Sequence, residues 1–134
     1  DARAAYERAL ALQPTSVGYS NLGTLEFYVG NYPAAARHFE KAVEATPGNY
    51  QLWANLGDAY RWAPGMRPRA RAAYQKAVAV VREALAVNPN DAAVHANLAA
   101  VYAKMGDPEE ASRQISRAWS SWVSRSPMTQ PPPW

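Results

Sequence analysis

The side chains able to do chemistry are few and far apart in this sequence. His38 and His95 are its two histidines, and neither has a carboxylate or a second histidine at ligand spacing. Packing, in the core or at the surface, is the expected role of both, in place of metal binding or general-base work. The 134 residues hold no cysteine, which excludes disulfides, thiolate metal sites and cysteine nucleophiles together and suits a reducing or an oxidising compartment equally. Glu109-Glu110, after Asp107-Pro108, resemble paired catalytic carboxylates. Acidic residues in the first turn of a helix are what its dipole favours, so capping is the expected role. There is no Gly-rich phosphate loop, nucleophile elbow or zinc-type histidine pair. The expectation is a protein that is no enzyme, with no metal and no cofactor.

One concentration of charge stands out. Arg61, Arg67, Arg69 and Arg71 surround Trp62, in a chain of net charge +3 where Arg outnumbers Lys eleven to three. Guanidinium groups suit phosphate or an acidic partner through bidentate contacts. A single short cluster lacks the extended basic stripe of nucleic-acid binding, so a solvated turn and no nucleic-acid partner are expected.

These residues have to be positioned by helices. About one residue in five is Ala, the best helix former, and the apolar fraction is 49%. No run of apolar residues is long enough to span a membrane, and the opening DARAAYERAL reads as an amphipathic helix without the apolar region of a signal peptide. Without an initiating Met, the chain is expected to be a fragment, a processed form or the ordered part of something longer. Prolines and glycines fall singly at regular distances, as punctuation between ordered elements.

That regularity is a repeat. Asn21-Leu22-Gly23 recurs as Asn55-Leu56-Gly57 and as Asn97-Leu98-Ala99, 34 and then 42 residues apart. Each is followed by a matching second half: Ala35 to Ala42 with Pro47, Ala70 to Ala77, and Ala111 to Ala118. A headless copy opens the chain as Ala2 to Tyr6, Ala9 and Pro14. Leu22, Gly23 and Phe27, and likewise Trp53, Leu56, Gly57 and Tyr60, have the spacing of an apolar helical stripe. Gly30-Asn31, Pro64-Gly65 and Gly106-Asp107 break the chain between paired helices, and Pro14, Pro47 and Pro89 end the second ones. The second helix of the middle unit is predicted from Pro68 to about Val87, because Ala77-Val78 is echoed seven residues later by Ala84-Leu85. Two extra turns keep its apolar face nearly in register.

This arrangement resembles the tetratricopeptide repeat, a 34-residue helix-turn-helix. Trp53, Leu56, Gly57, Tyr60, Ala70, Tyr74 and Ala77 match every signature position of the middle unit. Tyr19 and His95 replace the Trp, Ala99 the Gly, and Glu26 the Tyr. The resemblance implies an all-α, right-handed solenoid of antiparallel helix hairpins. Its parts are a half repeat at 1–14 holding a second helix only, repeats at 16–49, 50–91 (with the extended second helix) and 92–126, and a Pro-rich tail at 127–134.

The resemblance also implies a non-catalytic scaffold that holds a peptide or protein partner on its concave face, lined by the first helix of each unit. Carried over position by position, that face comprises Ser20, Asn21, Thr24, Phe27 and Tyr28, then Ala54, Asn55, Asp58, Arg61 and Trp62, then Asn97 and Lys104. A side-chain amide both donates and accepts, so the three Asn suit an extended peptide backbone. The family's basic clamp for a C-terminal carboxylate is missing, since Ser20, Ala93 and Asn97 stand where Lys or Arg is required. Aromatic or apolar peptides are the expected ligands.

The ends suggest a second function, a structural subunit that assembles head to tail into oligomers or filaments. Tyr6 and Leu10 on the headless copy lack a packing partner. Trp119 and Trp122 sit one turn apart on the last helix, and three consecutive prolines before Trp134 favour an extended polyproline conformation. A third expectation is a sensor or docking segment of a larger bacterial signalling protein, after the resemblance of the turn from Tyr60 to Gly65 and its long following helix to arrays found on such proteins.

Overall fold

The computed structural model describes residues 1–126, and within them the chain forms seven helices and no strand. They are α1 (Ala2–Leu12), α2 (Ser16–Tyr28), α3 (Tyr32–Ala45), α4 (Tyr50–Trp62), α5 (Arg67–Val87), α6 (Ala92–Met105) and α7 (Pro108–Arg125). The fold is all-α, built of antiparallel helix hairpins. Contacts group it into two compact units, Asp1–Val80 and Val81–Trp134, with the boundary inside α5.

In the first unit, side chains set the helix starts. The Asp1 carboxylate accepts from the backbone N–H of Arg3 and Ala4, the Thr15 hydroxyl from Gly18, and the Asn49 carboxamide oxygen from Gln51. Each satisfies a donor that the first turn leaves without a helical partner. α1 packs on α2, and α3 packs on both α2 and α4. The core is small against large: Ala35, Ala36, Ala42, Ala59 and Ala77 are fully enclosed beside Leu22, Phe39, Leu56 and Tyr74. Close approach depends on two helical glycines. A Cβ on Gly57 would lie 2.5 Å from Tyr74 Cε1, and one on Gly23 would lie 3.0 Å from the Phe39 ring.

The second unit holds the last turns of α5 with α6 and α7. Asp91 caps α6 by accepting from Ala93 and Val94, and Asp107 caps α7 by accepting from Glu110, with Glu109 and Glu110 in the first turn as the dipole favours. Gly106 turns the chain between them at φ +79, a left-handed conformation that costs glycine little. Leu98, Ala99, Val101, Tyr102 and Ala111 are its core.

Candidate peptide-binding cleft

In the first unit α2 and α4 present neighbouring faces, and between them lies a cleft of about 230 Å³ lined by Thr24, Phe27, Tyr28, Phe39, Asn55 and Asp58. Phe27 closes the apolar stripe of α2, and Tyr28 follows it at the last turn, 83% exposed. Phe27 meets Tyr28 edge-on at 6.4 Å between ring centroids and Tyr32 at 5.2 Å. Tyr32, the first residue of α3, in turn lies 6.3 Å from Trp62 at a 32° tilt. Four rings thus run as a continuous path from the end of α2 across the start of α3 to the end of α4. Arg61 stands 5.9 Å from the Trp62 ring centroid, a cation–π contact within α4.

Polar groups in the cleft divide into the committed and the free. Asp58 accepts a 2.6 Å hydrogen bond from the Tyr74 hydroxyl. Burial, then that bond to a carboxylate, push the Tyr74 phenol well above its ordinary range. The Asn55 carboxamide, half-buried, has no hydrogen-bond partner among the described residues, and Thr24 likewise offers its hydroxyl. The cleft therefore pairs aromatic faces with an uncommitted donor-acceptor group.

Of the residues expected at the binding face, Thr24, Phe27, Tyr28, Asn55 and Asp58 come together here, and Trp62 joins them through Tyr32. Ser20 is half-buried and Asn21 exposed on α2, one turn before Thr24, and Arg61 is exposed on α4. Ala54 does not belong to the face: it is 6% exposed and part of the core, because one residue along a helix turns the side chain by about 100° from Asn55. Asn97 and Lys104 are on α6 in the second unit, and neither lines a cleft described here.

Phe39 in the cleft wall and Tyr32 in the ring path beside it were missed. An aromatic directly after the Gly30-Asn31 turn was the available signal for Tyr32, whereas Phe39 matched a core position and gave none.

The residues expected at the ends fare differently. Tyr6 and Leu10 are half-buried, with Leu10 against Gly18 of α2, so the seam on α1 is partly covered. Trp119 and Trp122 are 64% and 54% exposed, their rings 5.3 Å apart. Trp134 and the rest of 127–134 lie outside the described residues.

A larger cleft, about 700 Å³, lies in the second unit between α7 and the start of α6, lined by Ser116, Arg117, Ser120, Ser124 and Arg125 among others. Volume does not favour it. Arg125 is committed to the carbonyls of Asn90 and Ser121, and Ser121 also bonds Asn90 O. His95, which lines the same cleft, is 4% exposed and does structural work. Its Nε2 lies 2.8 Å from Pro89 O, as the indole of Trp53 donates to Pro47 O at 2.8 Å, so His95 takes over the bond of the Trp it replaces. Its Nδ1 lies 2.8 Å from Gln114 Oε1, and Gln114 donates on to Glu110 at 2.6 Å. That last bond, with Arg113 beyond it, holds the Glu110 carboxyl below its usual range. His38 is half-buried on α3, and burial lowers its pKa.

Comparison with known proteins follows the hairpins. Models of the tetratricopeptide repeat match residues 20–79 and residues 68–121. Among solved structures, a crystal structure of MamA is similar with a TM-score of 0.60 at 18% identity, over 92% of this chain and 68% of that one. MamA from Desulfovibrio magneticus RS-1 gives 0.57 at 18%, over 93% and 67%. TTC0263, a thermophilic repeat protein of Thermus thermophilus, gives 0.58 at 26%, over 89% and 63%. This chain spans about two thirds of the length of each, and the two MamA likenesses concern fold alone. No curated protein matches the chain.

Proposed function

Because this chain belongs to the tetratricopeptide repeat family, we propose that it is a protein–protein interaction scaffold whose first unit grips an extended segment of a partner polypeptide in the α2–α4 cleft. The observation that carries this reading is the Asn55 carboxamide, which lines the same cleft as Phe27 and Tyr28 and has no hydrogen-bond partner among the described residues. A half-buried amide of this kind can donate to a backbone carbonyl and accept from a backbone N–H of a bound strand. The rings beside it supply apolar contact at small entropic cost, since an aromatic side chain has only two torsions to fix. Arg61 adds a positive rim rather than a carboxylate clamp.

A peptide library displayed on phage and selected against the immobilised chain tests the proposal. Selected peptides are expected to lose about tenfold in affinity on Asn55→Ala and again on Tyr28→Ala, each loss near 1.4 kcal/mol. Asn97→Ala, in the second unit, is expected to leave their affinity unchanged. Peptides that bind the Asn55→Ala, Tyr28→Ala double variant as tightly as the parent would overturn the reading.

A further inference from the structure

The cleft's chemistry narrows what it takes, and this step rests on the proposed peptide-binding role. We infer that it accepts a proline-rich segment in the polyproline II conformation, and that the occupant is the Pro127–Trp134 stretch of a second copy of this chain.

Three observations lead there. The first is the ring path: Tyr28, Phe27, Tyr32 and Trp62 succeed one another at 6.4, 5.2 and 6.3 Å, with the outer two rings 83% and 59% exposed. A polyproline helix rises about 3.1 Å per residue, so each ring-to-ring step matches roughly two residues of such a ligand. Proline rings pack on aromatic faces, and the ligand arrives already extended, so little order has to be imposed on it.

The second is hydrogen-bond polarity. Consecutive prolines present carbonyls and no N–H, so that run of the ligand only accepts. The cleft has donors to meet those carbonyls. Its one carboxylate, Asp58, is already supplied by the Tyr74 hydroxyl, while Asn55 and Thr24 have donors to give.

The third is that the chain carries such a ligand itself. Met128-Thr129-Gln130-Pro131-Pro132-Pro133-Trp134 has three successive prolines ending in an aromatic ring, and it contains no charged side chain to be desolvated against the rings. Every copy therefore holds both a receptor and a proline-rich ligand, and copies associate once their concentration exceeds the dissociation constant of that contact.

The test uses the full chain in two forms, the parent and a variant with Pro131→Ala, Pro132→Ala and Pro133→Ala. Sedimentation equilibrium is expected to show the parent's average mass rising above 14.7 kDa with concentration, and the triple variant's rising only at higher concentration. A synthetic peptide of residues 126–134, titrated calorimetrically into the triple variant, is expected to bind. Its affinity should fall about tenfold on Tyr28→Ala or Trp62→Ala, and recover with Tyr28→Phe. Both rings are exposed, so these variants are expected to keep the parent's circular dichroism and melting curve.

If this peptide fails to bind while library peptides still depend on Asn55, the proline inference falls and the proposed function stands. Failure of both sinks the two together. A parent that stays monomeric, yet binds added peptide more weakly than the triple variant does, would place the segment on its own chain and overturn the second-copy assignment.

Discussion

The ring of Tyr74 lies beneath Gly57, while its hydroxyl donates to Asp58. Tyr60 is tied in the same way, donating to Glu40 at 2.7 Å, with burial and that carboxylate raising its pKa to about 12 from the ordinary 10.0. The fold therefore favours the neutral phenol at both positions. The unfolded chain ionises first as pH climbs past 10.0, so this part of the stability is intact below that value and is lost towards pH 12 and beyond. Chemical denaturation between pH 9 and pH 12 is expected to show stability falling steeply for the parent and less steeply for the Tyr60→Phe, Tyr74→Phe double variant. Equal slopes would mean that these two groups do not carry the effect. At this scale the sequence was partly readable. The recurrence of Asn-Leu-Gly singled out Asn55, which lines the cleft, but nothing local indicated that Tyr74 would donate to Asp58 while Asn55 has no partner among the described residues. That depends on a contact between helices.

Helices α4 and α5 meet at a glycine because a larger residue would strike a ring that cannot move. Tyr74 is 2% exposed and held at its hydroxyl, so Gly57→Ala forces a shift in the packed pair. Overpacking of this kind costs ~1–3 kcal/mol, against a gain of about 1 kcal/mol in helix propensity. The melting temperature is expected to drop by several degrees. Gly23→Ala meets Phe39 at the looser 3.0 Å and should drop it less. A Gly57→Ala variant as stable as the parent would refute the argument. Element order was the most legible feature of all, since turn residues and apolar spacing are local and repeat themselves. Glu26 was the opposite case. It departs from the repeat pattern, and only the fold explains why: it is 4% exposed and bonded twice to Arg3 of α1, at 2.8 and 3.1 Å. The missing Tyr is replaced by an ion pair with a residue that precedes it by 23 positions, a relation that no short window contains.

Taken over the whole molecule, one apolar surface has no cover among the described residues. Ile115, Trp119 and Trp122 are all more than half exposed along one side of α7. Ile115 and Trp119 hold the positions that Phe39 and Val43 hold on α3, where both are buried in a helix packed on two neighbours. Exposed aromatic faces of this kind promote association between copies. Trp119→Ser with Trp122→Ser is expected to raise the concentration at which light scattering detects aggregates, with the melting temperature unchanged. An unaltered onset would show that this surface plays no part.

The ties between successive hairpins carry a consequence for how the array was put together. Glu26 answers Arg3, Tyr60 answers Glu40, and Tyr102 accepts from Arg82 at 2.6 Å, so the last turn of each first helix meets a charged group on the helix before it, through a different pairing at each joint: carboxylate with guanidinium, phenol with carboxylate, phenol with guanidinium. Hairpins with such keyed joints are not interchangeable beads. Splicing α2 and α3 in after another copy of α3 would set the carboxylate of Glu26 against that of Glu40, whereas α4 in place of α6 would still offer Arg82 a phenol. Duplication and reshuffling of this gene are thus permitted in some orders and penalised in others.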